Sequence, residues 1–179
     1  TELPITEKSS GGSCGCGCGH DSLPELDARV IPHAIRHAAI TTDPIDQSRL
    51  EALVSSAHAG ARVSFTGLIR DHDEEAEGVV VGLDYTCHPD ADRFLAGVAA
   101  SVASDLDPEG RAVLAVEHRI GSLGVGDVAI VAVAASAHRG QAFELCRTLV
   151  DRVKAEVPIW KHQHEESGRA SWSNLGLPQ

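Results

Sequence analysis

Two periodicities divide the chain. Residues 62–69 (RVSFTGLI) alternate apolar and polar positions and are rich in β-branched and aromatic side chains, which predicts a half-buried strand. Residues 79–86 form a second strand after the charged loop 70–77 and Gly78, so the two are expected to pair as an antiparallel hairpin. A continuous apolar run at 128–135 (VAIVAVAA) has the length and β-branching of a fully buried strand. It is joined through a tight glycine turn, 121–127 (GSLGVGD), to a strand over 111–120. Helical spacing appears at 46–57, with Leu50, Leu53 and Val54 on one face and Gly60 beyond the end. A second helix opens at Pro89 and Asp90 and runs to about 106, turning Phe94, Leu95, Val98 and Val102 inward. The third, 141–155, buries Ala142, Phe143, Cys146, Leu149, Val150 and Val153 and is stopped by Pro158. A first strand at 38–41 and a short hairpin of 159–164 with 169–173, turning about Ser167 and Gly168, complete the pattern.

Strand pairs joined by glycine turns and separated by helices predict an α+β domain with a mostly antiparallel sheet and flanking helices. The globular part is expected at 37–179. Residues 1–36 read as a flexible Cys/Gly-rich tail, because SSGGSCGCGCGHD is too poor in apolar side chains to order itself. The piece LPELDARVIPHAIRHA within it resembles the opening of a small bacterial domain, and no activity is drawn from it.

Composition narrows the function classes. A chain of 179 residues with 42% hydrophobic content suits one domain and a tail. A net charge of −11 argues against nucleic acid or an anionic membrane as a partner. No apolar run is long enough to cross a bilayer, and TELPITEKSS lacks the features of a secretory signal. Five cysteines, three of them in one glycine run, point to a reducing cytoplasm rather than a disulfide framework. The alternate spacing of Cys14, Cys16, Cys18 and His20 is unlike a structural zinc motif.

One bias points to chemistry. Three lysines stand against twelve arginines, and two of the three, Lys154 and Lys161, flank the end of the last helix. Arg serves as a fixed cation, whereas a lysine ammonium can also act as acid, base or nucleophile. His138 and Arg139 sit between the buried strand and the N-terminus of that helix, a position suited to an anion. Arg70 ends a strand, with Asp71 and Asp73 as competing ion-pair partners. Asp71, His72 and Asp73 are adjacent and converge poorly on a metal. Cys146 reads as core. His33, His37, His58, His88 and His118 show no ligand spacing. From the residues alone, the outcome is an acidic α+β domain with a basic constellation of Arg70, His138, Arg139, Lys154 and Lys161, suited to a phosphate-bearing ligand.

Five stretches in order, FTGLIRDHD (65–73), LDYTCHPDAD (83–92), HRIGSLGVGD (118–127), SAHRGQAFE (136–144) and VKAEVPIWKHQ (153–163), resemble the large, catalytic subunit of molybdopterin synthase across about 38–172. The resemblance implies an α/β-hammerhead-like fold and no cofactor or metal. It implies a cytoplasmic sulfur transferase of molybdenum cofactor biosynthesis, converting cyclic pyranopterin monophosphate to molybdopterin. The implied partner is a small ubiquitin-like sulfur carrier whose C-terminal Gly-Gly bears a thiocarboxylate, bound to a dimer of large subunits in a heterotetramer. Carried over by position, Leu68, Ile69, Arg70, His138, Arg139, Lys154, Lys161, His162 and Gln163 contact substrate, and Lys154 and Lys161 are catalytic. His138 and Arg139 are expected to serve a neighbouring subunit's pocket. The competing readings are a non-catalytic module that binds an anionic metabolite and a scaffold for the sulfur carrier.

Overall fold

A computed structural model describes residues 34–73, 76 and 78–173. Residues 1–33, with the candidate ligands Cys14, Cys16, Cys18 and His20, lie outside the described residues, whereas 34–36, expected in the tail, open the first strand four residues before its expected start. Among the described residues the chain runs β1 (Ala34–Thr41), α1 (Gln47–Leu53), β2 (Ala61–Leu68), β3 (Val80–Cys87), α2 (Ala91–Leu106), β4 (Val113–Arg119), β5 (Gly121–Gly124), β6 (Val128–Ser136), α3 (Arg139–Glu156), β7 (Ile159–Glu165) and β8 (Ala170–Ser173). The α+β class and the antiparallel bias hold, since β1 with β4 is the one parallel pairing among the described strands.

There are two four-stranded sheets, ordered β1-β4-β6-β2 and β5-β3-β7-β8. The expected hairpin of β2 with β3 does not form. β2 pairs antiparallel with β6, whereas β3 pairs with β5 and β7. Alternation marks each segment as a strand but carries no information about its partner. The charged loop after β2 takes the chain from one sheet to the other, anchored where Val80 N–H donates to the Asp71 carbonyl at 2.8 Å.

The first sheet is covered on both faces, which explains the unbroken apolar runs of β4 and β6. One set of side chains, including Leu114, Val116, Ile130, Ala132 and Ala134, packs with Leu95 and Val102 of α2 and with Leu145 and Leu149 of α3. The alternate set, Val113, Ala115, Val131, Val133 and Ala135, packs against Leu50 and Val54 around α1. Asp46 caps α1, its carboxylate accepting from Arg49 N–H at 3.0 Å.

Three local expectations are corrected. Phe94 and Phe143 are largely exposed, at 49% and 62%. The buried stripe of α3 is Ala142, Leu145, Cys146, Leu149, Val150 and Val153, and Phe143 lies at its margin. The glycine segment is not all turn, because Gly121–Gly124 forms β5 on the edge of β3. The turn itself is confined to 125–127, where the Asp127 carboxylate accepts from Gly124 N–H at 2.9 Å and Gly126 takes a φ of 92°.

Candidate active site

The two sheets meet along a cleft of about 400 Å³, lined among others by Leu68, Ile69, Arg70, Asp73, Tyr85, Lys154, Lys161 and Gln163. Strand alternation explains the contribution of β3 and β7. In their register Leu83 faces Gln163 and Tyr85 faces Lys161, so these four side chains share one side of the second sheet. The end of β2 supplies Gly67 and Leu68, and a register shift between these two turns the strand at the rim. A Cβ on Gly67 would lie 2.6 Å from Ile130 Cγ2, so the glycine is required by close approach to the core. Lys154 enters from the last turn of α3, one residue beyond buried Val153.

Charge is concentrated here despite the acidic chain. Lys161 Nζ donates to Asp73 Oδ2 at 2.8 Å, with both side chains under 20% exposed. Arg70 reaches the same oxygen at 4.0 Å from a mostly exposed position, a contact worth little in water. Gln163 is 1% exposed, yet its Nε2 has no partner among the described residues. A buried amide donor without an acceptor costs about 1–3 kcal/mol, so such a group lining a cleft marks a place where a ligand acceptor fits.

Two further residues belong to this site although their spacing alone did not single them out. His118 of β4 and Tyr85 of β3 line a smaller recess that continues the cleft past Gly67, Leu68 and Lys154. Their rings meet edge to face with centroids 5.0 Å apart. Burial lowers the His118 pKa to about 4, the Lys154 charge pushing the same way, so the imidazole is neutral at pH 7. Its Nδ1 lies 2.9 Å from the Arg119 carbonyl, which fixes Nδ1 as the N–H and leaves Nε2 as an acceptor. Burial, and secondarily Asp73, raises the Tyr85 phenol above its ordinary value. The signals were present: Tyr85 is the chain's sole tyrosine and alternates with Leu83, and His118 opens the HRIG stretch.

The remaining expected residues lie apart. His138 caps the other end of α3 and Arg139 begins it, both exposed. At 1.5 Å per residue this end is about 24 Å from Lys154 along the axis, so the pair does not enter the same chain's cleft. The resemblance grouped His162 with Lys161 and Gln163, but alternation sends its side chain to the opposite face, where it stacks on Trp172.

The profile of the MoaE protein family matches residues 40–156. A molybdopterin synthase catalytic subunit from Nostoc sp. is 33% identical over 139 residues, which is 77% of this chain and 82% of that protein. The molybdopterin synthase catalytic subunit 1 of Mycobacterium tuberculosis is 32% identical over 144 residues, covering 80% and 94%. The solved structure of molybdopterin synthase from Staphylococcus aureus superposes with a TM-score of 0.69 at 27% identity, covering 79% of this chain and 98% of that one. The complex of subunits 1 and 2 of the molybdopterin-converting factor of Helicobacter pylori shares the fold, with a TM-score of 0.59 at 20% identity over 75% and 88%.

Proposed function

Because the chain belongs to the MoaE protein family, we propose that it is the catalytic subunit of a molybdopterin synthase, converting cyclic pyranopterin monophosphate to molybdopterin. The observation that carries this reading is the convergence of Arg70, Lys154, Lys161 and the unpartnered Gln163 amide on one cleft between the sheets. An anionic, heteroatom-rich substrate suits that lining, with cations for its phosphate and an amide donor for a ring acceptor.

Sulfur arrives on a small ubiquitin-like partner as a thiocarboxylate, and the substrate carbon that accepts it must lose an oxygen. Lys154 is the main reactive group in this reading. As a cation beside a neutral imidazole it can stabilise developing charge and hand a proton to the departing oxygen. Lys161, held by Asp73, orients the substrate and balances charge. Leu68 and Ile69 form the apolar rim, and Arg70 grips the phosphate. His138 and Arg139 serve the cleft of a neighbouring large subunit, in a dimer that binds two carriers. The distance along α3 supports that division, as does the suitability of an exposed helix N-terminus for an anion. A reducing cytoplasm suits Cys87 and Cys146, which are free thiols.

The test is reconstitution. The purified chain is mixed with thiocarboxylated small subunit and cyclic pyranopterin monophosphate, and a dithiolene-bearing product is sought. Product formation supports the reading. Carrier binding without product would make the chain a scaffold, and metabolite binding without carrier binding would make it a sensor.

A further inference from the structure

The face of β7 turned away from the cleft carries a second cluster. Asp84 of β3 is the register partner of His162, and His164 follows two residues later, so all three side chains leave the same face of the second sheet. Their ligand atoms lie within 4.8 Å of one another, and His164 Nε2 is 2.6 Å from Asp84 Oδ2. Each member is held by a neighbour. Ser122 of β5 donates to the other Asp84 oxygen, and that bond, followed by His164, keeps the Asp84 carboxyl below its usual pKa. Trp172 of β8 stacks on the His162 ring at 4.4 Å with an interplanar angle of 20°. The His164 ring meets His162 edge-on at 4.8 Å.

We propose that Asp84, His162 and His164 form a site for a divalent transition-metal ion of the Zn2+ or Co2+ type. Two imidazoles and one carboxylate select such borderline ions over Mg2+ or Ca2+, which prefer oxygen-only shells. Bonds of about 2.0–2.2 Å in a tetrahedral site separate ligand atoms by roughly 3.3–3.5 Å. Binding therefore requires the side chains, whose ligand atoms lie within 4.8 Å of one another, to rotate to that spacing about backbone positions that the strand register sets. Ser122 and Trp172 supply the outer support that orients metal ligands. Three protein ligands leave coordination positions open toward a recess of about 390 Å³, lined by Asp84, Ser122, Gly124 and His164 among others. The site therefore has room for water or a small exogenous ligand. It stands on the opposite side of the sheet from Lys161 and Gln163, independently of the proposed sulfur transfer.

The test uses the full chain with Cys14, Cys16 and Cys18 changed to Ser and His20 to Gln, so that tail ligands do not compete. Titration with Co2+ is expected to give one equivalent of bound ion with visible ligand-field bands, and Zn2+ should displace it. In this background Asp84→Asn, His162→Gln and His164→Gln should each lower the affinity about 100-fold. Unchanged binding in all three variants, or no binding in the parent at millimolar Co2+, overturns the proposal. A measurement needing no variant at these positions guards against misfolding. In imidazole NMR spectra, Zn2+ should shift the His162 and His164 resonances together and leave His118 in place. Static His162 and His164 signals would also overturn it.

Discussion

β6 and β7 hold equivalent places, each an interior strand of a four-stranded antiparallel or mixed sheet. Their residues could hardly differ more. β6 is VAIVAVAAS and buried almost throughout, with helices over both faces. β7 is IWKHQHE and alternates, presenting Lys161 and Gln163 to the cleft and His162 and His164 to the other side. The difference lies in what covers the strand, not in the hydrogen-bond ladder. A strand between two apolar layers has both its faces committed to packing. A strand whose faces are left partly open can give each a separate chemistry at no cost to its backbone pairing.

The largest effect should come at the cleft: Lys154→Ala is expected to reduce turnover by about 10²–10⁴-fold while the thermal midpoint stays nearly unchanged, because the side chain is exposed. Near-normal turnover would remove Lys154 from the chemistry. The joint between the two regions is His118, on β4 of the first sheet but lining the recess beside Lys154. Its folded-state pKa is depressed from 6.5 to about 4, so the folded protein binds fewer protons than the unfolded chain. The stabilisation is complete above pH 6.5 and is lost as pH falls toward 4, amounting to about 3 kcal/mol. His118→Gln should flatten the acid limb of urea-derived stability by that amount, and an unaltered limb would contradict the burial argument. On β6, Val133→Ala should cost about 2 kcal/mol in urea unfolding, with turnover per folded molecule preserved. The smallest effect should have the opposite sign. Gln163→Leu removes an unsatisfied buried donor and is expected to gain about 1 kcal/mol of stability while raising the KM for the pterin substrate. A destabilised variant with unchanged KM would show that Gln163 is an ordinary packing residue.

What was legible in the sequence follows the same division. The buried strand β6, the stripe of α3 and the hairpin of β7 with β8 are local patterns, and local periodicity reports them. The pairing of β2 with β6 and of β3 with β7 spans far more chain, and alternation says nothing about it. Arg70, Lys154 and Lys161 stood out through type and resemblance, whereas Asp73 was visible as a partner for Arg70 and in a poor metal cluster, not as the partner of Lys161. Tyr85 and His118 entered the site because separate strands bring them within 5.0 Å. His162 was grouped with the substrate contacts and His164 was not singled out, because Asp84 meets His162 through register across two strands, a relation that no interval in the sequence records.

β1 is the parallel partner of β4, matched from Ala34 with Val113 to Thr41 with Arg119. It also ends a sheet. Beneath it lies VLAVEHR, buried at every position but the last and free of proline. With β1 detached, β4 would offer a flat, apolar row of unsatisfied amides and carbonyls to any passing chain. Trimming the protein to residue 42 would remove no cleft residue, but it would uncover core that Ile35, Ala38 and Ile40 cover. Turbidity that rises with protein concentration is the expected symptom. An outermost strand of eight residues is therefore expected to limit association between copies as well as to cover the core, and light scattering would register its removal.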